Sequence, residues 1–375
     1  MWGGLSICGG LVIRRLNWGV PWWQSAHASN RRINNPPQVD NLPHNGTLTM
    51  TAADFDFAII PSGGRLAELR EATHCAGYFR LRHPLFPASR CAEALSLAQQ
   101  FFQLPATEKE RLAIEQSPHF RGYSVMHNSR DWREQIHFGR EEASRHGPPY
   151  QQLRGPNLCP PDDLWRSGIL SLMEDLETAG RDVLAALARS LGLPGPHFLP
   201  ESEVPYVLLK LIHYQALPDS TPRSGVAPHV DFSWITLLLQ DDAGGLEIRG
   251  RDGSWTPFPP VSGTLLINVG EILEFATGGY FCAAPHRVVS GAQARISLPF
   301  FLNPGLDTTI NAIPLPFERQ TSAVVAESAA THVHRVFSEP RLAPFVFGEQ
   351  EWRRKGLGIY CGSCCDPGFT GSAHS

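Results

Sequence analysis

"PHVDFSWITLLLQ", residues 228–240, sets a histidine and an aspartate two positions apart just ahead of an apolar run. The run is of strand length and is closed by the turn-forming "DDAGG", so His229 and Asp231 stand at a strand end. The same pattern continues from 205 to 303, where "YVLLKLIHYQAL", "GLEIRG", "SWTPF", "GTLLINVG", "PHRVVSG" and "RISLPFFLNP" are short apolar runs split by turn signals. Asp252-Gly253 between "LEIRGR" and "SWTPF" marks a hairpin. Strands at this spacing predict a sandwich, a barrel or a jelly roll.

Ahead of this region the periodicity is helical from 65 to 191. Ile169, Leu172, Met173, Leu176, Val183, Leu187 and Leu191 share one helix face, with Gly192 and Pro194 ending it. Thr107 followed by Glu110 reads as a capping-box helix start. "FRGYSVMHNSRDWREQIHFG" reads as loop and short strands. Residues 1–52 contain "ASNRRINNPPQVDNLPHNGTLT" and are expected to be a disordered extension. Arg14 and Arg15 break the early apolar run, so that stretch is not read as a secretory signal, and Met50 is a candidate start.

With 42% hydrophobic and 18% charged residues, the chain can bury a sizeable core. A net charge of −4 offers no electrostatic grip on nucleic acid or an anionic membrane. No apolar stretch reaches the roughly 20 residues of a membrane span. The eight cysteines are read as reduced thiols of a cytoplasmic protein, because a chain this long needs no disulfide framework. The tail "CGSCC" has no second C-x-x-C to complete a metal site and is expected to be disordered.

His286 opens "PHRVVSG" 55 residues after Asp231, at another strand end. Two imidazoles and a carboxylate on one face of an octahedral ion make the facial triad of non-haem Fe(II) oxygenases, with positions left open. Alone, H-x-D is also compatible with a hydrogen-bonded structural histidine. Arg295 and Ser297 in "RISLPFF" point to the same side of a strand. A guanidinium among apolar neighbours calls for an anion, either a ligand carboxylate or an internal Asp or Glu.

Taken together, "HVD", "GGLEIRGRDGSWTPFPPVSGTLLINVGEILEFATGG", "PHRVV" and "RISLPFFLNP" resemble the isopenicillin N synthase-like family of Fe(II)- and 2-oxoglutarate-dependent oxygenases. "AGYFRLRHP", "FFQLPATEKE", "FRGY", "RDWREQI" and "LRGPN" match its N-terminal landmarks, so the likeness spans about residues 55 to 350. The resemblance implies a mainly β fold, a double-stranded β-helix (jelly-roll) core flanked by helices. The expected divisions are a helical scaffold at 53–199, the oxygenase core at 200–305, a helical lid region at 306–360 and a disordered tail at 361–375. It implies His229, Asp231 and His286 as ligands of Fe(II), and Arg295, Ser297 and Tyr214 around the distal carboxylate of 2-oxoglutarate. Tyr214 lies in "LIHYQ", where the family usually has Asn-Tyr-Tyr-Pro. Glu271 stands where the family often has Asp, outside the metal's ligands.

Phe232 and Trp234 are candidate pocket walls, Trp234 equally a core residue, and His213, Arg121 and Tyr123 are pocket candidates by resemblance. His332 and His334 read as a solvated pair and Asp241-Asp242 as turn formers. The implied activity is oxidation of a small-molecule metabolite with O2 and 2-oxoglutarate, releasing succinate and CO2. Hydroxylation, desaturation and ring closure are all open outcomes. The chain is expected to act as a monomer without nucleic acid or membrane. The alternatives are a 2-oxoglutarate-independent oxidase of isopenicillin N synthase type, in which Arg295 holds the substrate, and a non-catalytic jelly-roll binding protein.

Overall fold

Strict alternation along single strands builds two cores on opposite faces of one sheet. Eight strands form that sheet: β1 (Asp54–Asp56), β2 (Tyr78–Arg82), β3 (Gly122–His127), β4 (Trp132–Gly139), β5 (Val207–Tyr214), β7 (Ile235–Gln240), β10 (Leu265–Val269) and β12 (Arg295–Leu302). Their order is β1-β2-β10-β7-β12-β5-β4-β3. A second sheet, ordered β6-β11-β8-β9, holds β6 (Arg223–His229), β8 (Leu246–Arg249), β9 (Trp255–Pro257) and β11 (His286–Ser290). The computed structural model describes residues 53–59, 64–217, 222–317, 333–337 and 343–356. The expectations for residues 1–52, for the 361–375 tail and for His332 lie outside the described residues.

On β5, Val207, Leu209 and Leu211 join the core beneath the helices, whereas Ile212 and Tyr214 face a second core between the sheets. On β12, Ile296, Leu298, Phe300 and Leu302 point to the helices and Arg295, Ser297, Pro299 and Phe301 point the other way, into the space between the sheets. This is the period-2 geometry of a strand buried on both faces. The result is the expected jelly roll flanked by helices.

The helices are α1 (Leu66–Ala76), α2 (Ala88–Phe102), α3 (Ala106–Glu110), α4 (Asp163–Ser190) and α5 (Glu271–Ala276), followed by a closing helix at Phe347–Gly356. α4 starts where the Asp162 carboxylate accepts from the Leu164 and Trp165 N–H groups, both at 3.0 Å. It stops before Gly192, whose φ of +77° is ready-made for a glycine. Its Ile169, Leu172, Leu176, Val183 and Leu187 are all buried, as their spacing predicts. Gly180 lets α4 approach the sheet closely: a Cβ there would lie 2.7 Å from Leu302.

Two expectations change. The Thr107 capping box does not form, because α3 begins at Ala106 with Pro105 at its cap and no side-chain cap bond. The 53–199 scaffold also contributes β1 and β2 to one end of the main sheet and, where short strands were expected, β3 and β4 to the other, so the sheet is not confined to 200–305.

Candidate metal and co-substrate site

β6 ends on His229, β11 begins on His286, and the two are register partners with ring centroids 4.3 Å apart. Asp231 follows two residues after His229, and its Oδ1 lies 3.7 Å from His229 Nε2 and 3.6 Å from His286 Nε2. One ligand atom from each residue falls within 4.8 Å of the other two. These separations are too long for direct hydrogen bonds and suit three donors around one shared point.

Each imidazole is oriented from behind. His229 Nδ1 meets the Ala227 carbonyl at 2.9 Å and His286 Nδ1 meets that of Ala284 at 3.1 Å. Donation from Nδ1 turns the Nε2 lone pair inward, the tautomer a metal requires. Burial, then the neighbouring His286, push His229 down to about 3, so it is neutral. Burial works to raise the Asp231 carboxyl, but the two imidazoles outweigh it and hold it below its ordinary value. Two imidazole nitrogens and one carboxylate oxygen are the donor set that suits Fe(II).

The same cavity reaches Arg295, which is 4% exposed. Its Nη1 donates to Ser297 Oγ at 3.2 Å and its Nη2 to Gln240 Oε1 at 3.0 Å, and the guanidinium lies 4.9 Å over the Tyr214 ring. Among the described residues it has no carboxylate partner, and its Nε has no partner in this arrangement. No Asp or Glu among the described residues therefore accounts for its burial. Tyr214 is its register partner, and Gly225 of β6 closes over that ring: a Cβ there would sit 2.8 Å from Tyr214 Cδ1.

Of the five further candidates, Phe232 lines the cavity. Trp234 packs on Phe198, ring centroids 5.5 Å apart, in the helix-side core. His213 and Tyr123 face that side too, both bonding Glu134, at 2.8 and 2.7 Å. The fully buried Arg121 stands behind the cavity wall, with Nη1 3.3 Å from Tyr206 Oη. None of these four lines the cavity; for His213 and Tyr123 the reason is that neighbours along a strand point to opposite faces.

His334 departs from the solvated reading. It is half-buried, lines the cavity and pairs with the metal segment: Val230 N–H donates to its carbonyl at 3.2 Å and its own N–H to that of Pro228 at 2.9 Å. Glu271 holds this strap down. Its Oε2 accepts from Val336 N at 2.9 Å and its Oε1 from Arg335 Nε at 3.1 Å. Burial pushes its carboxyl up to about 7, with Arg335 acting in the opposite sense. Gln240, Glu271 and Lys210 were not singled out as site residues by the sequence reading. Lys210 carried the same signal as Arg295, a cation inside an apolar strand run.

Residues 205–304 match the model of the 2OG-Fe(II) oxygenase superfamily, and 64–162 match that of the non-haem dioxygenase in morphine synthesis N-terminal region. A "2-oxoglutarate-dependent dioxygenase" of Gibberella zeae is 32% identical over 311 residues, covering 74% of this chain and 81% of the relative. "Gibberellin 20 oxidase 2" of Oryza sativa subsp. indica is 28% identical, covering 74% and 75%. In fold, the chain is similar to a full-length Neurospora crassa protein crystallised in complex with alpha-KG, with a TM-score of 0.68 at 21% identity over 84% and 98% of the two chains. With its jelly roll and its His-Asp-His cluster, the chain belongs to the 2OG-Fe(II) oxygenase superfamily and is a non-haem, 2-oxoglutarate-dependent dioxygenase.

Proposed function

We propose that His229, Asp231 and His286 hold the Fe(II), that Arg295, Ser297 and Tyr214 hold the distal carboxylate of 2-oxoglutarate, and that the substrate lies against Phe232. The observation that carries this reading is Arg295. A buried guanidinium with no carboxylate partner among the described residues shares one cavity with three convergent metal donors. Bound there, the metal supplies oxidation by O2, coupled to conversion of 2-oxoglutarate to succinate and CO2.

The protein's part is to position. Asp231 lowers the charge of the site, and the Ala227 and Ala284 carbonyls fix both imidazoles. Ser297 and Gln240 hold the guanidinium aimed along the cavity. Phe232, stacked on Phe347 at 5.8 Å, gives the substrate side an apolar wall. Hydroxylation is the default outcome of the oxidation.

We further place the protein in the cytoplasm, as a monomer acting on small molecules without nucleic acid or membrane. The net charge of −4 supports this, as do Cys75, Cys91, Cys159 and Cys282, all free. Among the described residues no helix is long and apolar enough to cross a membrane.

Anaerobic titration of the Fe(II)-loaded protein with 2-oxoglutarate tests the site. Chelation of the metal gives a visible charge-transfer band that should appear in wild type and vanish in His286→Ala. A band unchanged in that variant would refute the ligand assignment.

A further inference from the structure

The iron and 2-oxoglutarate leave one imidazole of the cavity unexplained. In the second sheet a row of residues runs His229, Ile248 on either side of His286, which is the register partner of both. β6 is the edge strand of that sheet, and His334 extends the row beyond it through a parallel bridge to His229. The bridge is closed by the backbone bonds of Val230 and His334 N–H. Residues bridged in this way share a face of the sheet, and adjacent strands lie about 4.8 Å apart. His334 therefore stands beside a ligand of the metal, one strand further from His286.

The alternation of the strap agrees. Val333 turns away into a small core with Val230 and Ala283. Arg335 also turns away, to Glu271 and Glu274. His334 and Val336 are left on the other face, and both line the cavity.

His334 is not one of the convergent metal donors. Its imidazole makes no hydrogen bond among the described residues. Burial, then the charges of Arg354 and Arg130, hold it below the ordinary imidazole value, with Asp131 acting in the opposite sense. It is thus a neutral group with one N–H and one lone pair. Phe232 and Val336 give the cavity apolar surface near it. A substrate that fills this space displaces water from the imidazole. One with no polar atom at that point leaves the imidazole unpaired, and a site built to hydrogen-bond its ligand rejects such an analogue.

We infer that His334 is a specificity-determining residue, which donates its N–H to a hydroxyl or carbonyl oxygen of the substrate held beside the iron against Phe232 and Val336. This rests on the reading of His229, Asp231 and His286 as the iron site. It narrows the substrate from any small metabolite to one bearing an oxygen within a few bonds of the carbon that is oxidised.

The test uses the full chain, anaerobic, loaded with Mn(II) in place of iron and with saturating 2-oxoglutarate. The probes are acetophenone and its oxygen-free isostere 2-phenylpropene, followed by calorimetry. His334→Phe keeps a ring but removes both nitrogens. It should weaken acetophenone about 3- to 10-fold, the loss of one neutral hydrogen bond, and leave 2-phenylpropene no weaker. His334→Gln, which restores an N–H, should recover most of the ketone affinity. A structural role for His334 would move both probes alike. No acetophenone binding to the loaded wild type, an equal effect of His334→Phe on the two probes, or no effect on either overturns the inference. Binding of Mn(II) and 2-oxoglutarate is measured in every protein. Failure of the metal to bind wild type refutes the iron site and the inference with it, whereas a loaded wild type without the ketone effect refutes the inference alone. Retained Mn(II) and 2-oxoglutarate binding in the variants shows that they are folded.

Discussion

Arg335 reaches back 64 residues to place its Nε 3.1 Å from Glu271 Oε1, and Glu271 donates its own backbone N–H to the Asp231 carbonyl at 2.8 Å. The strap at 333–337 and the metal segment at 229–231 are thereby one hydrogen-bonded unit. Glu271→Ala leaves the Arg335 charge buried against Glu274 alone and frees Val336 N–H. Losing this buried acceptor should cost about 1–3 kcal/mol of stability, and loosening the support of Asp231 should weaken metal binding about tenfold. Chemical denaturation and metal titration of the variant check both. An unchanged unfolding free energy would show that the strap is not held by Glu271.

Asp231→Ala removes the one anionic donor of the triad. Metal affinity should fall by more than 100-fold while the fold survives, because the residue lies just beyond β6 and its neighbours are held by backbone bonds. Calorimetric Mn(II) titration alongside thermal melting separates the two effects. Metal binding that persists near wild-type affinity would remove Asp231 from the ligand set.

Arg295→Gln should raise the 2-oxoglutarate dissociation constant roughly 30- to 1,000-fold, the about 2–4 kcal/mol of a buried charge-assisted contact. Arg295→Lys should recover only part of it, since a point charge cannot make the two-pronged contact. Metal affinity should be unchanged in both. Full rescue by lysine would contradict the forked geometry.

Glu134 sits on the helix side of β4 and accepts from Lys109 Nζ at 2.7 Å and Tyr123 Oη at 2.7 Å, with His213 Nδ1 at 2.8 Å. Burial works to raise its carboxyl, but the bonds from His213, Lys109 and Tyr123 prevail and lower it to about 2. A carboxyl depressed by folding adds stability above its unfolded value, near pH 4.5, and that stability fades as pH falls towards 2. The stability difference between wild type and Glu134→Gln should therefore be full above about pH 4.5 and shrink below it. Urea denaturation across roughly pH 3 to 7 measures this. A difference that stays constant with pH would mean that Glu134 is not ionised by its partners.

How much of this was legible in the sequence follows from what a strand reports locally. The apolar runs with Asp252-Gly253 gave the second sheet, and β8 and β9 do pair across that turn. His229, Asp231, His286, Arg295 and Ser297 were legible because polar residues at the ends or on one face of apolar runs need a reason. The same alternation, applied one residue further, places His213 opposite Tyr214 and so away from the cavity, and marks Lys210 as facing it. The resemblance did not carry that geometry. The Glu271–Arg335 clasp and the His334 pairing were not legible, because they join segments far apart through contacts with no periodic signature.

The central claim is that oxidation here is coupled to 2-oxoglutarate held between Arg295 and the iron. Its most direct measurement is release of labelled CO2 from carboxyl-labelled 2-oxoglutarate by the Fe(II)-loaded protein in O2, with succinate counted in parallel. Labelled CO2 and succinate should appear in equal amounts, depend on both Fe(II) and O2, and vanish in Asp231→Ala. No release above that variant, or oxidation of a substrate without labelled CO2, would contradict the account and assign Arg295 to the substrate instead.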